Sequence, residues 1–331
     1  MAYVHPGVHR TALEVGGVQL HHLPALTNHD PRIASELWSV TGRVRPDIVQ
    51  TWLPQMDVVG GSVALLRRVP WVLSERSSSE AYTTHFRDRI IRRRLGRWAD
   101  GVVANSRAGY SLWHDSMRGA AETHIVRNAV AVEAIAAARP ASLEDFGVRR
   151  KGPVVIFAGR LTAEKNLPLL LKIADKVSGL TAATFLVCGD GPLRGVVEEA
   201  VKSADAGDRI LILGHQDDIW PLMKASDAFV STSTFEGQPN AVLEAMACEC
   251  PLVVSDIPSH REFLSAETAD FASTEDDFVR AILRALQGTP DVIKRVNTAR
   301  DQVGQYGARA AALAYETIYE KASAGHSRCA E

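Results

Sequence analysis

Phe235-Glu236-Gly237-Gln238-Pro239-Asn240-Ala241-Val242-Leu243-Glu244 carries two glutamates with seven residues between them, and a Gly, a Pro and an Asn precede an apolar run. This composition places Glu236 in a loop and starts a helix at Pro239 or Asn240, because Pro suits the first helical position and Asn caps well. Glu244 then lies about one turn inside the helix. A helix start offers unpaired backbone N–H groups and partial positive charge, which suits a phosphate. The two flanking carboxylates can accept hydrogen bonds from the hydroxyls of a sugar or a ribose. On spacing alone, an ordinary loop–helix junction with two solvated glutamates is the simpler account. The surroundings decide against it.

Upstream, Val154-Val155-Ile156-Phe157-Ala158 reads as a buried strand emptying into Gly159-Arg160-Leu161. Lys165-Asn166 follows, and then Leu167, Leu170, Leu171, Ala174 and Val177 recur at helical spacing up to Gly179. A strand end with one Arg and one Lys ahead of a helix suits a diphosphate, and both cations would stabilise a negative leaving group. Further strands read at 184–188, 210–213 and 228–231, and the last at 252–255, with helices between them. This alternation predicts an α/β fold with a doubly wound parallel sheet, whose ligands bind outside the carboxyl ends of the strands. Arg160, Lys165, Gly214, Glu236 and Glu244 all fall at such ends.

With these pieces in place the chain resembles the retaining glycosyltransferases of family 4. The resemblance is carried by Phe157-Ala158-Gly159-Arg160-Leu161 with Glu164-Lys165-Asn166, by Cys188-Gly189-Asp190-Gly191-Pro192-Leu193, by Leu213-Gly214, by Ala225-Ser226-Asp227-Ala228-Phe229-Val230, and by Glu236-Gly237-Gln238-Pro239-Asn240 with Glu244-Ala245-Met246-Ala247-Cys248. It is continuous over the C-terminal half and looser before it. It implies two Rossmann-like domains facing across a cleft (the GT-B type), and transfer of a hexose or N-acetylhexosamine from a nucleotide-sugar donor. A UDP-sugar fits better than a GDP-sugar. It implies Glu236, Arg160 and Lys165 as catalytic residues, with both cations on the donor diphosphate and Glu236 on the donor sugar. Glu244 would meet the ribose. Gly159 and the backbone of Gly237, Gln238, Pro239 and Asn240 would meet phosphate or sugar, and Gly214, His215 and Ile219 would lie near the base. No metal and no cofactor are implied.

In the N-terminal half, strands read at 17–23, 46–50, 71–74, 101–106 and 124–128, with a helix at 31–42. After the strand at 71–74, where many relatives carry a His, stands Ser74-Glu75-Arg76-Ser77. That version resembles a branch acting in bacterial polysaccharide and glycan assembly, and makes Glu75 and Arg76, with Asn105, the acceptor-side candidates. A plain ion pair at a strand end is the alternative for Glu75 and Arg76. Ala129 follows Asn128 where relatives have Gly. The family opens with two βα units ahead of the element at 17–23, so the N-terminal domain is expected to be incomplete, with about five strands. Gly16-Gly17 reads as a helix stop, not as the family's first Gly-rich loop. The expected layout is an acceptor-side domain over 1–140, a connection over 141–152, a donor domain over 153–297, and a C-terminal helix over 298–331 that returns to the first domain.

A length of 331 residues suits two domains, 46% hydrophobic residues support real cores, and a net charge of −2 argues against nucleic acid as a partner. No apolar run reaches the ~20 residues of a membrane span, the first twenty residues do not read as a signal peptide, and four cysteines suit a reducing cytosol. A cytoplasmic protein is expected. Cys248 and Cys250 are too close for a common metal pair. The basic stretch 84–98 reads as a helix that either lies against anionic lipid at the inner membrane face, which would suit a lipid-linked acceptor, or packs on the sheet with a solvated basic face. Three readings compete for the whole chain: a transferase to a saccharide or lipid-linked acceptor, a sugar-nucleotide epimerase or glycosyl phosphorylase of the same fold, and a nucleotide-binding protein without turnover.

Overall fold

A computed structural model describes residues 1–4, 10–25, 27, 30–76, 86–114, 122–148 and 152–329. The chain divides into two compact units, one formed by Met1–Arg127 with Ala311–Glu331 and the other by Asn128–Ala310.

In the first unit, β1 (Ala2–Tyr3) pairs in parallel with β2 (His21–His22), and the helix Arg10–Val15 lies between them in sequence. A four-stranded parallel sheet follows, in the order β3 (Val49–Trp52), β4 (Trp71–Glu75), β5 (Gly101–Ala104), β6 (Glu122–Ile125). The expected element at 17–23 is therefore the second strand of a βαβ unit and not the first element. A two-residue strand is too short to leave a pattern in sequence. Successive side chains of β4 face opposite sides. Trp71 and Leu73 pack with Val102 and Trp113, while Val72 packs with Val103, Ile318 and Ala322. The last two belong to the long helix Ala308–Cys329. Trp71 lies so close to the helix Pro54–Arg67 that a Cβ on Gly61 would sit 2.3 Å from its ring.

The second unit holds a six-stranded parallel sheet ordered β12 (Asp270–Ala272), β11 (Leu252–Ser255), β10 (Ala228–Ser231), β7 (Val154–Ala158), β8 (Thr184–Cys188), β9 (Ile210–Gly214). The chain winds outward from β7 through β8 to β9, then returns and winds the other way from β10 to β12. The topological switch point therefore lies between β7 and β10, where open α/β sheets bind ligands. Ile156, Leu186, Phe229 and Val254 build the core on one face, and Val155, Phe157, Phe185 and Val253 on the other. The reading that 252–255 is the last strand is corrected by β12. That edge strand has three residues, and its Asp270 is ion-paired to Arg284 and Arg295, so it shows no apolar run.

The boundaries also shift. Val130, Ile135 and Val148 are buried in the core of the second unit, and Val130 bridges to Gly307, so the chain crosses near Arg127 and not over 141–152. At the other end the helix Pro290–Val303 buries Ala299 and Val303 in that same core. The turn at Gly304–Tyr306 separates it from the helix Ala308–Cys329, which belongs to the first unit from Ala311 on.

Candidate active site in the second unit

The rim of the sheet is built by backbone before any side chain acts. Gly159 N–H donates to Cys188 O at 3.0 Å, Gly189 N–H to Gly214 O at 2.7 Å, and Leu161 N–H to Asp190 O at 2.9 Å. These bonds tie together the ends of β7, β8 and β9. Gly189 has φ +144°, and a Cβ there would stand 1.9 Å from Gly159 O, so only glycine lets the loops approach this closely. The result is a cavity of about 420 Å³ lined by Gly159, Arg160, His215, Ile219, Asn240 and Glu244, together with Ala158, Cys188, Gly189, Asp190, Gln216 and Ala241.

The loop after β7 is stitched to the loop after β10. Thr232 Oγ donates to Lys165 O at 2.7 Å, and Thr234 N–H donates to Glu164 O at 2.8 Å. That stitching brings Lys165 Nζ to 2.5 Å from Glu236 Oε1, in an ion pair whose side chains are only 17% and 14% exposed. Ser233 Oγ donates to the same oxygen at 2.7 Å. Among the described residues the second carboxylate oxygen, Oε2, has no hydrogen-bond partner. Arg160 is exposed and has no ion-pair partner among the described residues.

The helix of the two-glutamate segment runs Asn240–Ala247, and no side chain caps its start. Its first N–H groups lack acceptors within the helix. The Gln238 side chain is buried and committed within the unit: its Oε1 accepts from Asn128 N–H at 2.7 Å and its Nε2 donates to Asn128 O at 2.9 Å. Asn128 Nδ2 donates to Asn240 Oδ1 at 2.9 Å. Asn128 thus braces the segment, a role its place in the sequence did not suggest. Pro239 lies with Lys165 and Glu236 around a smaller recess. Glu244 is half-buried, and desolvation pushes its carboxyl above the usual range while a hydrogen bond with Trp220 opposes the shift. His215 is 65% exposed beside Asp217.

The acceptor-side candidates lie at the ends of β4 and β5 in the first unit. Glu75 requires a correction. It is fully buried, and its Oε2 accepts from Arg92 Nη1 at 2.6 Å and from Trp113 Nε1 at 3.0 Å, so this carboxylate serves the core and does not face an acceptor. Arg92 also donates to Asp57 Oδ2 at 2.6 Å. Burial pushes the Asp57 carboxyl up to about 6, against the lowering effect of Arg92 and Thr51. Arg92 comes from the basic stretch, whose helix is Phe86–Gly96, and residues 84 and 85 lie outside the described residues, as does Ser77. The guanidinium of Arg76 lies 4.0 Å from the Trp52 ring centroid, and burial lowers its pKa while Tyr315 opposes the change. Asn105 is buried beside it, with Nδ2 at 3.5 Å from Arg76 O.

Residues 152–288 match the family described as glycosyl transferases group 1. The chain is 32% identical over 147 residues to the UDP-Gal:alpha-D-GlcNAc-diphosphoundecaprenol alpha-1,3-galactosyltransferase of Escherichia coli, over 42% of this chain and 38% of that protein. It is 31% identical over 183 residues to the 2-deoxystreptamine N-acetyl-D-glucosaminyltransferase of Streptomyces fradiae, over 52% of this chain and 44% of that one. The matched stretch spans less than half the length of these relatives. Among solved structures, Anabaena HepE in complex with UDP-glucose superposes with a TM-score of 0.83 at 18% identity, covering 98% of this chain and 91% of that one. The fold is accordingly of the GT-B class, with two Rossmann-like units. Among the described residues no helix is long and apolar enough to cross a membrane, and no group of three His, Cys, Asp or Glu side chains could hold a metal ion.

Proposed function

We propose that the chain is a retaining glycosyltransferase that moves a hexose or N-acetylhexosamine from a UDP-linked donor to a saccharide or lipid-linked acceptor in bacterial glycan assembly. The observation that carries this reading is the Lys165–Glu236 pair at the switch point, beside a cavity that also holds Arg160 and Glu244. The names of the galactosyl and N-acetylglucosaminyl transferases above support the donor class and the acceptor range.

The base rests near His215 and Ile219, and Glu244 accepts from the ribose hydroxyls. The diphosphate lies against Arg160, Lys165 and the start of the helix Asn240–Ala247, with Gly159 leaving room for it. Lys165 turns part of its charge from Glu236 to the phosphate as the donor binds. Glu236 is held through Oε1 and offers Oε2 to a hydroxyl of the donor sugar. The bond from the anomeric carbon to the diphosphate oxygen then breaks, and the electron pair leaves on the diphosphate, where the two cations and the helix end stabilise it. The acceptor oxygen bonds to the anomeric carbon on the vacated face, and its proton passes to the diphosphate. On the acceptor side Arg76 and Asn105 remain the candidates.

The basic helix supports peripheral contact with an anionic bilayer. Although Arg92 is buried, Ile91 is 51% and Trp98 71% exposed, next to exposed Arg94 and Arg97. Co-sedimentation with vesicles containing phosphatidylglycerol, set against the Trp98→Ala variant, tests that contact, and equal sedimentation would refute it. The donor assignment is tested by isothermal titration with UDP, GDP, UDP-glucose and GDP-mannose. The UDP ligands should bind at one site per chain. Binding of the GDP ligands alone would correct the nucleotide, and no binding at all would remove the site.

A further inference from the structure

We infer that His260 is a positioning residue for Glu236, holding from inside the second unit the loop that aims this carboxylate. The inference rests on the functional reading above.

His260 lies in the short helix Pro258–Arg261 that follows β11, and it is fully buried. Its Nδ1 is 2.8 Å from Ser255 O. A carbonyl oxygen only accepts, so Nδ1 carries the hydrogen and donates it. Nε2 is then the bare acceptor nitrogen, and it is buried without a hydrogen-bond partner among the described residues. An apolar side chain would fill this space without leaving a polar atom unsatisfied. The imidazole therefore has to be accounted for by what Nδ1 does.

Nδ1 fixes the end of β11, and β11 holds the loop after β10. Ser255 Oγ, 3.3 Å from Nδ1, donates to Ser233 O at 2.5 Å. Ser233 in turn donates its own hydroxyl to Glu236 Oε1. The same loop is held from its other side by Thr232, whose hydroxyl reaches Lys165 O. Through these contacts the segment Thr232-Ser233 after β10 is fixed on two sides, and Glu236 is fixed with it. Burial holds the imidazole below its usual pKa, and the charges of Glu236 and Lys165 both reach it, with opposite effects. A neutral ring keeps one hydrogen on Nδ1, as this geometry requires.

Two amide substitutions separate positioning from mere filling. In His260→Asn the amide nitrogen falls near the place of Nδ1 and can still donate to Ser255 O. In His260→Gln it falls near Nε2, and in His260→Phe the ring remains without a donor. Turnover of the UDP-sugar is measured per UDP-binding site counted by titration, so that misfolded protein drops out. The expected result is a kcat ~10- to 100-fold lower for His260→Gln and His260→Phe, since a carboxylate displaced by a fraction of an ångström costs rate. UDP affinity should stay within about twofold of the parent, and His260→Asn should recover most of the lost rate. Equal kcat in all three variants, or an equal loss in all three, overturns the inference. If His260→Phe does not fold, the comparison of Asn with Gln decides. A parent that turns over no nucleotide-sugar overturns the functional reading and this inference with it. A parent that turns over while Asn and Gln behave alike overturns this inference alone.

Discussion

Replacing Lys165 by alanine should act on stability and on donor binding in ways the structure separates. The Lys165 ammonium sits 2.5 Å from Glu236, in a pair less than a fifth exposed on either side. Breaking a fully buried pair costs ~3–5 kcal/mol and an exposed one ~0–1, so this intermediate case should cost ~1–2 kcal/mol of stability. A charge-assisted hydrogen bond to phosphate contributes ~1.5–3 kcal/mol, but Lys165 must loosen its hold on Glu236 to make it. The net loss of UDP affinity should therefore be ~1.5 kcal/mol, about tenfold in Kd. Part of that loss arises because Glu236 is left to repel the diphosphate without its counter-charge. Lys165→Ala combined with Glu236→Ala should therefore bind UDP more tightly than Lys165→Ala alone. Isothermal titration of UDP at fixed salt measures all four proteins of the cycle. If Lys165→Ala binds UDP within twofold of the parent, or if the second substitution worsens binding further, the placement of the diphosphate is wrong.

The remaining predictions concern the other carboxylates and the rim. Glu236→Ala should lower turnover more than UDP affinity, while Glu244→Ala should mainly weaken UDP, and equal affinity losses by titration would refute that division. Gly189→Ala should cost ~3 kcal/mol or more in urea unfolding, because its Cβ meets the Gly159 carbonyl and its φ is one that side chains rarely adopt; a loss below ~1 kcal/mol would contradict the geometry. Asp57, with a folded pKa raised to about 6, binds more protons folded than unfolded between pH ~4 and ~6, so its contribution to stability falls as pH rises through that window. The Asp57 carboxyl carbon should titrate near 6 by NMR, and a midpoint below 4.5 would refute the burial argument.

The second unit was legible because its strands are short apolar runs ended by Gly, Asp or Ser. Val154–Ala158, Thr184–Cys188 and Leu252–Ser255 form strands where the pattern placed them, and only β12, an edge of three residues anchored by ion pairs, left no apolar run. The meeting of Lys165 with Glu236 followed from the strand-end rule, since both stand just beyond strands that neighbour each other at the switch point. Long-range partners were not legible. Nothing in Ser74-Glu75-Arg76 tells that Arg92, seventeen residues on, turns inward to meet Glu75, or that Asn128 reaches Gln238. A charge in a basic stretch reads as solvated until a buried carboxylate claims it. His260 gave no signal either, because its partner is a backbone carbonyl.

The central claim is tested most directly by the anomer released when the protein turns over a UDP-α-hexose with water as acceptor. Proton NMR, read before mutarotation, should show the α-hexose appearing first together with UDP, at a rate that Lys165→Ala and Glu236→Ala each reduce. A β-hexose appearing first, or release at the same rate from the parent and both variants, would contradict the account.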